Sequence, residues 1–163
     1  MKRLEIRQST FKDWAEVARI ENICFPAAEA ASEASIKERL SVYPEGSLIA
    51  ASDHKIIGFI CGGATDKDVV EDDFYASMKL HDPKGRHLIV FGLDILPDYQ
   101  RQGYARQLMQ AYIDFAKQQN KSAILLTCKE HLLPFYCAFG YENLGVAVST
   151  HGGAQWFEMK LLL

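Results

Sequence analysis

The stretch from Leu88 to Ala116, LIVFGLDILPDYQRQGYARQLMQAYIDFA, leaves the chain few folds to choose from. Leu88 to Leu96 is rich in Ile, Val, Leu and Phe, as a strand buried on both faces would be. Pro97-Asp98-Tyr99 breaks it. From Gly103 onward, Ala105, Leu108, Met109, Tyr112 and Ala116 recur at helical spacing. At the junction stands Gln100-Arg101-Gln102-Gly103-Tyr104-Ala105. Backbone N–H groups at such a helix start point outward and make an anion site. Gly103 permits a tight turn and a close approach to the backbone, and Ala105 keeps the first helical turn slim. Strand, Gly-containing turn and helix N-terminus together read as a cradle for a pyrophosphate.

The rest of the chain must build around that unit. Its 163 residues fit one domain, residues 1–163. A net charge of −3 argues against nucleic acid as a partner, although Arg86, Arg101 and Arg106 are expected to gather near the phosphate site. Cys24, Cys61, Cys128 and Cys137 form no C-x-x-C pair and lie in apolar surroundings, so they read as buried free thiols of a cytoplasmic protein. Met1-Lys2-Arg3 leads into a short alternating strand, which predicts no secretory signal. No apolar run approaches the ~20 residues a membrane span needs. The five histidines are scattered, so no metal set is expected.

In chain order, Leu4 to Arg7 reads as a strand, and Thr10 with Asp13 as a capping box for a helix through Cys24. Phe25-Pro26 ends that helix, and Ala27 to Ala34 is a small-residue loop. A second capping signal at Ser35, or at Ser32 instead, starts a helix with Ile36 and Leu40 on one face. Ser47 to Ser52 and Lys55 to Gly62 form a hairpin around Asp53-His54. Ala64 to Arg86 is a solvated loop with a short embedded helix. It carries the acidic run Asp66, Asp68, Glu71, Asp72 and Asp73, which reads as a solvated face or as a lure for a cationic substrate. A strand from Ser122 to Cys128, a helix over Glu130 to Gly140, and strands over Tyr141 to Ser149 and Ala154 to Leu162 complete the chain.

Gln100-x-x-Gly103-x-Ala105 after an apolar strand resembles the (Arg/Gln)-x-x-Gly-x-(Gly/Ala) acetyl-CoA motif of the GNAT acetyltransferase superfamily. The order of elements resembles that superfamily's too, so the likeness covers nearly the whole chain. It implies a mixed α/β (α+β) GNAT fold, with a mostly antiparallel twisted sheet of about seven strands and about four helices around it. A narrower resemblance runs from Cys128 to Tyr141, CKEHLLPFYCAFGY, which is similar to a segment of the serotonin (arylalkylamine) N-acetyltransferases, in the manner of a bacterial relative. Phe25 to Ile36 resembles that family's substrate loop. The resemblance implies acetyl transfer from acetyl-CoA, with no metal, to a primary amine on an aromatic or other apolar side chain, in a monomer or homodimer. It implies that the cofactor is held by Leu93, Asp94, Ile95, Gln100, Arg101, Gln102, Gly103, Tyr104, Ala105 and Phe135. It makes Tyr136 the acid, and sets the amine among Phe25, Glu29, Glu33, Ile89 and Phe91. Ile89 and Phe91 stand where the vertebrate family has two proton-relaying histidines, so that base does not carry over.

Amide formation from a thioester requires a held cofactor, a polarised carbonyl, a neutral amine and a protonated leaving thiolate. Polarisation is expected from a backbone N–H near Asp94-Ile95, where a bulge would leave the ladder unpaired. A phenol of pKa ~10 is neutral at pH 7 and able to protonate a thiolate whose conjugate acid is ~8.5, as Tyr136 would. An alkylammonium of pKa ~10.4 is about one part in a thousand neutral at pH 7, a cost of roughly 4–5 kcal/mol that a base would relieve. Glu29, Glu33, His87, His131, and Asp94 if a bulge turns it inward, are the candidates, with His151 a structural or rim residue. Cys128 and Cys137 lack a base partner, so direct transfer in a ternary complex is expected over an acetyl-enzyme. Polyamines, aminoglycosides and protein N-termini remain alternative acceptors, and a CoA-binding sensor an alternative role.

Overall fold

The computed structural model describes residues 4–163. The chain runs β1 (Leu4–Gln8), α1 (Trp14–Cys24), α2 (Glu33–Val42), β2 (Ser47–Ser52), β3 (Lys55–Thr65), α3 (Asp73–Ala76), β4 (His87–Ile95), α4 (Tyr104–Gln118), β5 (Ala123–Cys128), α5 (Leu133–Cys137), β6 (Glu142–Val146) and β7 (Phe157–Leu162). The strands make one sheet in the order β1-β2-β3-β4-β5-β7-β6, antiparallel throughout except for β4 beside β5. The mixed α/β architecture and the seven strands are as expected. Among the described residues there are five α-helices against about four expected, since the loop before β4 winds the short α3 beside the other four.

Local chemistry explains most boundaries. The Asp13 carboxylate accepts from the Thr10 N–H at 2.8 Å and pairs with Arg7 at 2.8 Å, which ties the start of α1 to β1. Ser32, not Ser35, caps α2: its Oγ accepts from the Ser35 N–H at 3.1 Å. Asp53 and His54 turn the β2–β3 hairpin with φ of 50° and 66°, and β3 continues beyond Gly62 to Thr65. Gly140, at φ 101°, stops the helical segment. The last two strands are shorter than their apolar runs suggested.

α4 lays Leu108, Met109, Tyr112, Ile113, Phe115 and Ala116 on one face of the sheet. Each of the larger side chains contributes about 1.5–3 kcal/mol by leaving water. α1 and α2 cover the other face with Val17, Ala18, Ile20, Ile36 and Leu40, over Ile49 and Phe59.

Two irregularities in β4 create the site. β4 pairs with β5 only at His87–Ala123, Leu88–Ile124 and Ile89–Leu125. Beyond them the strands part, and from Val90 to Ile95 one edge of β4 has no strand beside it. Against β3, the register slips between Cys61–Gly92 and Gly62–Val90, leaving Phe91 as an extra residue. The bulge therefore lies at Phe91, not near Asp94-Ile95 as expected: Asp94 and Ile95 pair regularly with Phe59 and Gly58. It also shifts the alternation of the strand by one. Phe91 and Gly92 both turn to the α1–α2 side, so Asp94 shares a face with Ile89 although their numbers differ in parity.

Candidate functional site

Where β4 and β5 part, a hollow passes between the two faces of the sheet. Val90, Leu126 and Cys128 line it from the α4 side, and Phe91, Glu21 and Arg39 from the other. A second hollow opens beside it, along the edge of β4 past Leu93, Asp94 and Ile95 to Gln100 and Ala105. The two share Phe25, Leu93, Leu132, Tyr136 and Trp156. Tyr136 thus stands at the junction of the groove and the pocket.

The groove brings together six of the residues expected to hold a cofactor. Leu93, Asp94, Ile95, Gln100, Ala105 and Phe135 line it. Gly103 caps α4 at φ 83° with nothing within 4 Å of where a side chain would begin, so the helix N-terminus is open to a ligand. Arg101, at φ 63°, Gln102 and Tyr104 complete the turn beside it. The Gln100 side chain folds back instead: its Nε2 donates to the Ile95 carbonyl at 2.8 Å, which also takes the Cys24 thiol at 3.3 Å. Ile95 therefore has little carbonyl left for a partner. Arg86 does not join Arg101 and Arg106. It lies at the far end of β4, where its Nε reaches Asp66 at 3.3 Å.

The pocket is walled by rings. Tyr75 stacks on His151 at 5.3 Å, and its hydroxyl meets Thr127 Oγ1 at 2.7 Å. Trp156 donates to the His151 carbonyl at 2.9 Å. Phe25 and Phe91 line the pocket, but Ile89 does not. It is fully buried among Val70, Phe74 and Leu125, below the point where the strands part. Glu33 is also misplaced by the sequence reading: it opens α2, exposed, on neither hollow. Glu29 lines the pocket but is occupied by Lys129 Nζ at 2.7 Å, while its carbonyl accepts from His151 Nε2 at 3.0 Å. Among the other base candidates, His87 is buried at the far end of β4 against the Lys67 carbonyl at 2.8 Å. His131 sits exposed on the groove rim. The acidic run is off the pocket: Asp66 takes Arg86, Glu71 takes Lys67 and Asp72 takes Ser149.

The residue that sequence reasoning missed is Glu21. It is 5% exposed and lines the pocket from α1. Its Oε2 accepts from the Ala31 N–H at 2.9 Å, and its Oε1 has no protein partner. Beside it, Asp94 is 1% exposed with neither carboxylate oxygen paired. The two carboxylates crowd together: Asp94 Oδ1 and Glu21 Oε1 lie 3.3 and 3.5 Å from the one point where a side chain at Gly92 would begin. Burial first, then the Glu21 charge and hydrogen bond, hold the Asp94 carboxyl well above the usual range, with Arg39 pulling the other way. Arg39 is also buried, donating to the Tyr75 carbonyl at 3.1 Å and lying 4.7 Å from the Phe91 ring. The signal in the sequence was their phase: Glu21 follows Val17 by four residues and Arg39 follows Ile36 by three, which puts charges on apolar faces. Burial pushes the Tyr136 phenol well above its ordinary pKa, and pushes Cys128 up to about 11.

The family model described as the acetyltransferase (GNAT) family matches residues 14–141. A serotonin N-acetyltransferase of Mesocricetus auratus is 28% identical over 129 residues, 78% of this chain and 61% of that protein. An uncharacterised N-acetyltransferase of Bacillus subtilis, YnaD, is 27% identical over 140 residues, covering 83% of this chain and 75% of the other. The chain thus spans about three fifths of the length of the serotonin N-acetyltransferase it matches. Among solved structures, the loading GNATL domain of CurA from Lyngbya majuscula superposes with a TM-score of 0.86 at 14% identity, over 98% of both chains. YncA of Salmonella typhimurium, solved with acetyl-CoA, does so with a TM-score of 0.72 at 15% identity, over 99% and 94%.

Proposed function

The chain belongs to the GNAT acetyltransferase family, and on that premise we propose that it moves acetyl from acetyl-CoA to a small arylalkylamine-like primary amine, by direct transfer with both substrates bound. One observation carries the reading: a buried carboxylate with an unpartnered oxygen, Glu21, lines a pocket that also bears the rings of Phe25, Tyr75, Phe91, Tyr136 and Trp156. A burial of that kind costs a protein several kcal/mol unless a cation or donor completes it. An amine on an aromatic side chain supplies both the charge and the apolar surface.

The open helix start at Gly103 fits a pyrophosphate, and the strand-free edge of β4 fits an amide-bearing arm laid along it. With the Ile95 carbonyl already taken, the Leu93 backbone and the Ile95 N–H are the partners left on that edge, since Asp94 bonds toward β3. The thioester brings an activated acyl group and a good leaving group. Glu21 takes a proton from the amine and so relieves the cost of roughly 4–5 kcal/mol for presenting it neutral. Tyr136, on both hollows, gives its proton to the departing sulfur. Cys128, with its thiol raised to about 11, holds almost no thiolate at neutral pH and serves as wall rather than nucleophile.

The test is release of CoA thiol across a panel of amines from pH 6 to 10. Phenethylamine or tryptamine should turn over well above spermidine, and Glu21→Gln should lower kcat/KM for them by about 10²–10³. Equal rates in Glu21→Gln, or preference for spermidine, would overturn the assignment.

A further inference from the structure

Asp94 has no place in the steps above, yet it is among the most deeply buried ionisable side chains of the described residues. It lines the cofactor groove, while Glu21 lines the amine pocket, so their contact forms part of the wall between the two. A side chain at Gly92 would begin 3.3 Å from Asp94 Oδ1 and 3.5 Å from Glu21 Oε1, so both oxygens crowd one bare point on the bulge. Two acceptor-only groups in contact, out of water, are not both stable as anions. Three of their four oxygens lack a protein donor: Glu21 Oε1 and both oxygens of Asp94. One proton placed between them repairs the contact and leaves the pair with a single negative charge, which the buried Arg39 guanidinium balances.

Resting on the reading of Glu21 as the base, we propose that Asp94 is its positioning residue: it holds the proton the two carboxylates share and so keeps Glu21 as the anion turned to the amine. The charges then balance at each stage. An ammonium enters against a pair of charge −1. Its N–H bond breaks, the proton joins Glu21, and the pocket holds a neutral amine beside a neutral, doubly protonated pair. The nitrogen keeps its electron pair for attack, and Asp94 keeps its proton throughout. The groups facing the pair are Cys24 from α1, Arg39 from α2, Cys61 from β3 and Tyr136 from α5. Of these only Arg39 is charged near neutral pH, since burial raises both thiols to about 12 and raises the phenol as well.

The pair has a signature that does not depend on catalysis. An acid whose folded pKa lies above its unfolded value binds its proton more tightly in the folded state, so stability falls as pH rises from about 4 towards the folded value. The thermal unfolding midpoint is read without substrates from pH 5 to 9 for the natural chain and for Asp94→Asn, whose amide N–H mimics the protonated acid. The midpoint of the variant should gain on the natural chain by several degrees as pH rises. Taking the difference removes His81, which burial shifts in the opposite sense in both chains. Glu21→Gln should remove the same slope, because either partner's loss ends the sharing. With phenethylamine, Asp94→Asn should keep kcat/KM within about threefold at pH 7, and Asp94→Ala should lose tenfold or more. A midpoint difference that is flat in pH, or an Asn variant as impaired as the Ala variant, overturns the proposal. If the natural chain turns over no amine, the base reading and this role fall together, while the slope still reports the shared proton. Turnover without a slope removes this role alone.

Discussion

A phenol with Phe135 and Tyr141 edge-on at 5.0 and 5.6 Å has little water left to hydrate a phenolate. Burial is the first cause of the raised pKa of Tyr136. The raised pKa keeps the proton on the oxygen beyond the ordinary tyrosine range, and its transfer to sulfur then requires that the departing thiolate sit in the same dry junction, where burial raises its proton affinity as well. The same burial leaves Tyr136 a poor base, which is why the two proton tasks fall to different residues. Tyr136→Phe removes one oxygen and little volume, so the ring packing should survive. We expect kcat for the amine to fall about 10²-fold or more at pH 7, and the natural chain to show no alkaline loss of rate from the phenol up to pH 10. Steady-state rates from pH 7 to 10 check this, and an unchanged kcat would leave Tyr136 a packing residue.

At the scale of the strand, Ile89 and Phe91 look alike in sequence and behave differently in the sheet. Ile89 is the last residue of β4 paired with β5, and it is packed on all sides. Phe91 is the bulge residue, and its ring forms a pocket wall. Ile89→Ala should therefore cost about 2–5 kcal/mol of stability with the amine KM little changed. Phe91→Ala should cost less stability and raise the KM for an aromatic amine several-fold. Denaturant unfolding and amine kinetics on the two variants separate these outcomes, and a reversed pattern would mean the strands part elsewhere. The strands themselves were legible because alternation, turn residues and Gly punctuation are local signals. The bulge was not, because it is defined by the register of β3 against β4 and leaves no mark on β4 alone. Glu21 and Arg39 were hidden for a related reason: a charge on a short helix usually faces water, and only the facing strand makes these two interior.

On the scale of the whole molecule, the pocket roof is assembled from distant parts of the chain. Glu29, from the loop before α2, meets Lys129 after β5, 100 residues on, and its carbonyl meets His151, 122 residues on. Gly152, at φ 65°, lies under the same loop, where a side chain would begin 2.5 Å from Glu29 Cγ. The Ala31 N–H of that loop is also the donor to Glu21 Oε2. The roof thus aligns the proposed base from above, while Asp94 meets it from the sheet below. Breaking the roof by Lys129→Met should act on binding more than on folding. Lys129 is 31% exposed and the Glu29 side chain only 7%, so the freed carboxylate must turn out to water, and the loop that carries it is the part that gives way. The kinetic effect should be larger, since a loosened loop no longer holds Glu21 in one orientation: kcat/KM for phenethylamine should drop about tenfold, with the KM for acetyl-CoA unchanged. A fall in the unfolding midpoint matching the fall in activity would instead make the Glu29–Lys129 link a support of the fold, with no separate part in shaping the pocket.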